Sequence, residues 1–161
     1  GLVHLKDLKK LEWLHLGRTE ISDEGLANLK GLTTLTSLHF DGAKITGAGL
    51  VHLKGLTKLE ILSLSRSKVT DAGLVHLKGF VNLQELYFDD TMITDTGLVH
   101  LKGLTNLKGL SLSGTRITDT GLVHLKELTK LKNLDLWGCG GIKDSGVKSL
   151  QEELRDCKIY Y

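Results

Sequence analysis

Histidine is the residue whose type and spacing first suggest chemistry in this chain. Five of the seven histidines recur at one place in a repeated hexapeptide, Gly-Leu-Val-His-Leu-Lys: His4, His52, His76, His100 and His124. Imidazoles stacked along one axis could in principle present a row of metal ligands. A helical turn with this pattern places each ring about 100° from the leucine stripe, on a flank where it packs against the next unit with its nitrogen in water. We therefore interpret the column as structural.

The other two histidines, His15 and His39, stand 24 residues apart, and Asp41 follows closely. On adjacent strands they could approach a metal ion together. Two imidazoles and one carboxylate are a weak ligand set, and exposed polar residues on a sheet explain them equally well. We predict no metal site here.

A column of lysines accompanies the histidines: Lys6, Lys30, Lys54, Lys78, Lys102 and Lys126. Such a stripe could attract an anionic partner. Acidic residues recur as well, and 21 basic against 19 acidic residues give a formal charge of only +2. No apolar run reaches the roughly 20 residues that a membrane-spanning helix needs. We interpret the lysines as a solvated edge and predict neither a nucleic-acid nor a membrane partner.

Motifs for catalysis and cofactor binding are missing from the sequence. It contains no glycine-rich phosphate loop, nucleophile elbow, H-E-x-x-H or metal-spaced cysteine pair. Cys139 and Cys157 are too few for a disulfide framework, and both fall at buried positions of the pattern, so neither thiol is expected to react. The prediction is a protein that is not an enzyme and binds no cofactor.

The element that positions all these residues is a repeat of 24 residues. Its hexapeptide begins at Gly1, Gly49, Gly73, Gly97 and Gly121, with a near copy from Gly25. Self-similarity of this length indicates one small supersecondary unit stacked along an axis, each copy burying its apolar face against its neighbours.

Each unit contains two periodicities. Leucines such as Leu50 and Leu53 recur every third residue, which predicts a short helical segment. Thr70 or Asp71 is suited to cap it, and the glycine at Gly73 permits a close approach that a side chain would block. In the second half the spacing tightens to that of Leu62 and Leu64, the alternation of a short strand.

The second half, L-x-x-L-x-L-x-x-T-x-I, stands at residues 59–69 and 107–117 and, with small changes, in every unit. It resembles the leucine-rich repeat. The ending T-D-x-G-L-x-x-L resembles bacterial members of the cysteine-containing, F-box-associated subclass. The resemblance implies an α/β protein: a right-handed leucine-rich-repeat solenoid, or horseshoe, with a concave parallel sheet of about seven strands and short convex helices.

In such a sheet, equivalent residues form ladders. Two ladders are predicted to point into the core. They are Leu14, Leu38, Leu62, Leu86, Leu110, Leu134 and Leu16, Phe40, Leu64, Phe88, Leu112, Leu136.

The two ends of the array depart from the pattern. After an extra residue at Gly140-Gly141, a helix from Asp144 and the run Leu154-x-x-Cys157-x-Ile159 predict a capping helix and an edge strand over 144–161. Residues 1–161 then form one domain of six repeats of 24–25 residues. No cap precedes Gly1, which predicts missing upstream repeats or weak self-association, and a domain cut from a longer protein. The compartment stays unknown.

Binding is expected where the copies differ, on strand residues that point away from the core. We predict a non-catalytic module that recognises a protein on this concave face, with Trp13, Tyr87 and Trp137 as anchors. The alternative is an assembly element that self-associates through its N-terminal end or convex side. The predicted contact residues are Trp13, His15, His39, Asp41, Ile61, Arg66, Glu85, Tyr87, Asp89, Asp90, Asp135 and Trp137.

Overall fold

Seven short parallel strands form a single sheet in which spatial order follows chain order. The computed structural model describes all residues, 1–161. The strands are β1 (Trp13–His15), β2 (Ser37–His39), β3 (Ile61–Ser63), β4 (Glu85–Tyr87), β5 (Gly109–Ser111), β6 (Asn133–Asp135) and β7 (Lys158–Tyr160). The predicted seven-stranded solenoid is confirmed.

The helical half of most units is one α-helical turn that passes into a 3₁₀ turn. The α-helices are α1 (Asp23–Leu26), α2 (Asp71–Leu74), α3 (Asp95–Leu98), α4 (Asp119–Leu122) and α5 (Asp144–Glu153). The 3₁₀ segments are Leu2–Leu5, Ala27–Leu29, Gly47–Leu53, Val75–Gly79, Val99–Leu101 and Val123–Leu125. Leucines at every third position suit this geometry, because a 3₁₀ helix has three residues per turn. None of these helices has the length and apolar character to cross a membrane.

The core lies between the sheet and the helical segments. Leu38 pairs in register with Leu62, and the equivalent leucines align along all six of the regular strands. From the second unit onward both predicted inward ladders are buried, with Phe40 and Phe88 replacing leucine. Leu14 and Leu16 are only partly buried, because β1 is an edge strand with a neighbouring strand on only one side. Each fully buried leucine contributes about 1.5–3 kcal/mol to stability.

An aspartate that begins one helical turn binds the backbone of the next unit. Asp71 Oδ1 accepts the Thr94 N–H at 2.8 Å, and Asp71 Oδ2 accepts the Thr94 hydroxyl at 2.6 Å. Asp23 holds Thr46 in the same way, and Asp95 holds Thr118. Partial burial works against the charge of Asp71, but the hydrogen bonds from Thr94 and Thr96 hold its pKa below the usual value. This carboxylate bridge between units was not predicted from the sequence.

The carboxylate bridge explains why glycine recurs at the start of the repeated hexapeptide. One junction between units lacks the bridge. A Cβ on Gly97 would lie 2.4 Å from Asp71 Oδ1, so the carboxylate needs the glycine of the unit it contacts. In the second unit Gly47 replaces the aspartate, and there a Cβ on Gly73 would lie 2.2 Å from Gly47 Cα. The predicted close approach at Gly73 is thus confirmed, but its neighbour is backbone rather than a carboxylate.

The C-terminal strand differs in register from the leucine pattern. Ile159 pairs with Leu134, whereas the run Leu154-x-x-Cys157-x-Ile159 predicts a pairing of Cys157 with Leu134. The observed register agrees with the spacing from the preceding aspartate, since Ile159 follows Asp144 at the same distance as Leu134 follows Asp119. Cys157 therefore lies just before β7, where burial raises the pKa of its thiol to about 11.

The histidine column lies on the flank of the helical segments, but two of its nitrogens are not in water. The Nδ1 atoms of His100 and His124 are buried and have no hydrogen-bond partner. Only this one nitrogen of each ring is buried, and both residues remain partly exposed, which is consistent with the expected flank position. An unpaired buried nitrogen of this kind costs stability.

Candidate functional site

The side of the sheet that points away from the core is called the sheet face below. Its first column is Trp13, Ser37, Ile61, Glu85, Gly109, Asn133 and Lys158, and its second is His15, His39, Ser63, Tyr87, Ser111, Asp135 and Tyr160. A third column comprises Gly17, Asp41, Ser65, Asp89, Ser113 and Trp137. It continues the ladder through backbone bonds such as that from Arg66 N–H to the Asp89 carbonyl, 2.7 Å long. The observed register brings together the columns that the alternation predicts.

The middle of the sheet face is a polar depression of about 520 Å³, the central depression. Seven of the predicted contact residues line it: His39, Asp41, Ile61, Arg66, Tyr87, Asp89 and Asp90. Two serines, one just after β3 and one on β5, orient an acidic side chain, since the hydroxyls of Ser65 and Ser111 both donate to the Asp89 carboxylate. These bonds hold the polar groups in fixed positions before any partner arrives.

A second depression of about 430 Å³, the C-terminal trough, lies nearer the end of the sheet. It is lined by Glu85, Tyr87, Asp89, Gly109, Leu110, Ser111, Asn133, Asp135 and Tyr160. The Tyr87 hydroxyl donates to Glu85 Oε2 at 3.2 Å. Partial burial raises the pKa of Tyr87, and the negative charges of Glu85 and Asp89 raise it further.

The predicted histidine pair is present on β1 and β2. The rings of His15 and His39 stack with centroids 5.0 Å apart and planes 10° from parallel. His39 Nε2 lies 2.9 Å from the Ser37 hydroxyl, and its Nδ1 lies 3.9 Å from Asp41 Oδ2. Burial and the charge of His15 lower the pKa of His39, although Asp41 acts in the opposite direction. No group of three or more His, Cys, Asp or Glu side chains is arranged to hold a metal ion.

The three predicted aromatic anchors share the sheet face but do not meet in one pocket. Trp13 on β1 is 76% exposed and Trp137, just after β6, is 70% exposed. Five strand spacings of about 4.8 Å separate them by roughly 24 Å in the direction across the strands, with the partly buried Tyr87 between them. A partner that touched all three would have to cover most of the sheet.

The residue after the third column has a left-handed backbone in every regular unit. Glycine occupies it at Gly42, Gly114 and Gly138, but Arg18, Arg66 and Asp90 have φ of 54°, 56° and 53°. Side chains with a Cβ are disfavoured in this region by roughly 1–2 kcal/mol. Two of the three, Arg66 and Asp90, line the central depression.

Sequence reasoning missed the residues that shape the C-terminal trough. Tyr160 forms its far wall, and Gly109 and Ser111 form its floor. The signal for Tyr160 was available, because β7 was predicted and alternate residues of a strand point to the same face. Gly109 and Ser111 gave no chemical signal in the sequence, because they shape the floor only through their small size.

Comparison with known proteins agrees with this architecture. Residues 7–30, 31–53 and 55–77 match a family model described as leucine-rich repeat, and residues 105–150 match one described as leucine-rich repeats in two copies. No curated protein sequence matches the chain significantly.

Solved structures of two internalins from Listeria monocytogenes are similar. Internalin C2 has 32% sequence identity and a TM-score of 0.76 over 99% of this chain, and the internalin InlF has 27% identity and a TM-score of 0.72 over 82%. The chain spans 63% and 36% of the length of those two proteins, respectively. Repeat period, parallel sheet and these matches together place the chain in the leucine-rich repeat family.

Proposed function

We propose that this chain is a non-catalytic recognition module that binds a protein partner on its sheet face. The observation that carries the proposal is the contrast between the two sides of each strand. The core ladders hold leucine or phenylalanine in every regular unit, whereas the outward columns change from unit to unit. A rigid array with a constant core and a varied open face suits protein binding, because the module itself needs little ordering.

The polar network supports the same proposal. Serine hydroxyls fix Asp41 and Asp89 in the central depression, with Ser63 donating to Asp41 and Ser65 to Asp89. Fixed polar groups around aromatic side chains are the arrangement in which interface energy concentrates.

The T-D-x-G-L-x-x-L endings support the proposal that the chain belongs to the bacterial cysteine-containing subclass of leucine-rich repeats.

Site-specific photocrosslinking tests which side of the module binds. A benzophenone amino acid would replace Asn133 on the sheet face or Val123 on the helical side, both of which are exposed. In extracts of the source cells we expect position 133, and not position 123, to capture a discrete protein. Capture from position 123 alone would contradict the proposal.

A matched pair of variants completes this test. Tyr87→Ala with Trp137→Ala should abolish the crosslink from position 133 because both rings leave the sheet face. Val75→Ala with Val99→Ala removes exposed apolar side chains from the helical side and should leave the crosslink intact. Both double variants should melt within a few degrees of the parent, since a loss below about 1 kcal/mol shifts the melting temperature of a chain this size only slightly.

Self-association is the second candidate, and two apolar surfaces favour it. Leu14 and Leu16 are partly exposed at the first strand, and the helical side carries an exposed valine column: Val3, Val51, Val75, Val99 and Val123. Contiguous apolar surface of this kind marks association sites. A molecular mass that rises with concentration in light scattering, and falls after valine-to-serine substitution in the column, would favour assembly over partner recognition.

A further inference from the structure

We propose that the C-terminal trough receives a lysine or arginine side chain from a basic segment of a protein partner. This inference deepens the proposed function and rests on it. The trough is an uncovered part of the sheet face, and its shape and charge together select the occupant.

The shape of the trough comes from side chains of unequal size on neighbouring strands. On β5 the outward residues are Gly109 and Ser111, so this strand forms a low floor. Tyr87 rises on β4 on one side, and Tyr160 on β7 rises beyond Asp135 on the other. The result is a depression with aromatic walls and a polar floor, suited to the apolar stem of a long side chain.

Glu85 extends across the floor rather than away from the sheet. A Cβ on Gly109 would lie 1.8 Å from Glu85 Oε2, so the carboxylate occupies the space that any other residue at position 109 would fill. The Tyr87 hydroxyl donates to the same oxygen at 3.2 Å. Glycine within a strand commonly marks such a close approach. The negative charge is therefore held in the trough before binding.

The charges of the trough have no internal counterion. Glu85, Asp89 and Asp135 line it, and its lining contains no lysine, arginine or histidine. The ion pairs of the chain are Lys44–Glu20, Lys126–Glu153 and Lys132–Asp156, and none involves a trough carboxylate. The chain as a whole is slightly basic, so this negative charge is local.

Complementarity then decides between possible occupants. A carboxylate of a partner would be repelled by three like charges, and a purely apolar side chain would leave those carboxylates desolvated and unpaired. A guanidinium or ammonium group gains charge-assisted hydrogen bonds and can lie over the tyrosine rings. A basic side chain is thus the occupant that both walls and charges favour.

The test is a titration of the ¹⁵N-labelled chain, followed through backbone amide shifts. Terminally capped hexaarginine, hexalysine and hexaglutamate serve as probes. We expect the two basic peptides, and not hexaglutamate, to shift the amides of Gly109, Ser111 and Asp135 in a saturable way. Raising the salt from about 20 to 200 mM should weaken this binding, because the Debye length falls.

Three variants connect any shift to the trough. Glu85→Gln with Asp135→Asn should weaken peptide binding at least tenfold. Asp7→Asn with Glu127→Gln makes the same change in charge at exposed sites outside the sheet face and should leave it within twofold. Gly109→Ala alters no charge but displaces the Glu85 carboxylate, so it should also weaken binding.

Each contrary result has a definite meaning. If the peptides do not shift the trough amides, or if the control variant weakens binding as much as the trough variant, the inference is overturned. If position 133 nevertheless captures a protein, the recognition proposal stands without the basic occupant. If the basic peptides bind the trough but capture occurs only from position 123, the recognition proposal fails, and the assignment of a protein partner to the trough fails with it.

Discussion

At the scale of single residues, the most informative position is the left-handed one that follows each strand. Glycine meets its conformational requirement in three units without cost, but Arg18, Arg66 and Asp90 occupy it in the others. Because Arg66 and Asp90 line the central depression, the strain coincides with the surface proposed for binding. Strained backbone that persists beside a functional surface is a common correlate of function.

Arg66→Gly should therefore raise stability and impair recognition. Relief of the left-handed strain is expected to increase the free energy of unfolding by about 1 kcal/mol. Chemical denaturation monitored by circular dichroism measures this change. Lys68→Gly is the matched control, because Lys68 lies in the same loop with a negative φ and should lose stability on becoming glycine. A loss of stability in Arg66→Gly equal to that in the control would show that the side chain contributes more than the strain.

At the scale of elements, neighbouring units are joined by more than apolar contact. Each bridging aspartate satisfies the N–H and hydroxyl of a threonine that begins the next helical turn. Such bonds to a charged acceptor contribute about 1.5–3 kcal/mol. Since Gly47 replaces the aspartate of the second unit, Thr70 has no carboxylate to bind, and the junction between the second and third units lacks this bond.

Amide hydrogen exchange should reveal this junction. The Thr70 amide is expected to exchange at least about ten times faster than the Thr94 amide, because only the latter is held by a carboxylate. Asp71→Ala should bring the Thr94 amide close to the rate of Thr70, while the Thr118 amide, held by Asp95, stays slow. Equal protection of Thr70 and Thr94 in the unaltered chain would contradict the role given to the bridge.

Pattern alone could predict the elements but not the bonds between them. Leu62 and Leu64 predict a strand because side chains alternate across a sheet. The fixed repeat length then sets the register of every ladder. The partner of Asp71 is a threonine in another unit, so a helix-capping role within its own unit was the simpler prediction. The approach of Glu85 to Gly109 depends on the rotamer of Glu85 and on the missing side chain of Gly109. Neither feature recurs with the repeat, so the repeat pattern could not predict it.

At the scale of the whole molecule, stability should depend on position along the array, because each unit contacts only its neighbours. Leu86 and Leu14 occupy the same inward ladder, yet Leu86 is fully buried and Leu14 is not. The same substitution at the two sites separates the effect of position from that of residue type.

Leu86→Ala should cost about 2–5 kcal/mol, the usual range for a buried leucine in a packed core. Leu14→Ala should cost less than half as much, because part of that side chain is already in contact with water. Urea unfolding of both variants gives the comparison. Equal losses would indicate that the first unit is as well packed as the middle of the array.

The carboxylate bridge also bears on how such a chain can lengthen. The units of Asp95 and Asp119 each supply an acceptor to the unit after them, and with their own threonine and glycine they receive the acceptor of the unit before them. A duplicated segment of one period therefore contains both the aspartate that supplies the acceptor and the threonine and glycine that receive one. Genetic duplication or deletion of whole units can change the span of the array without a compensating mutation elsewhere.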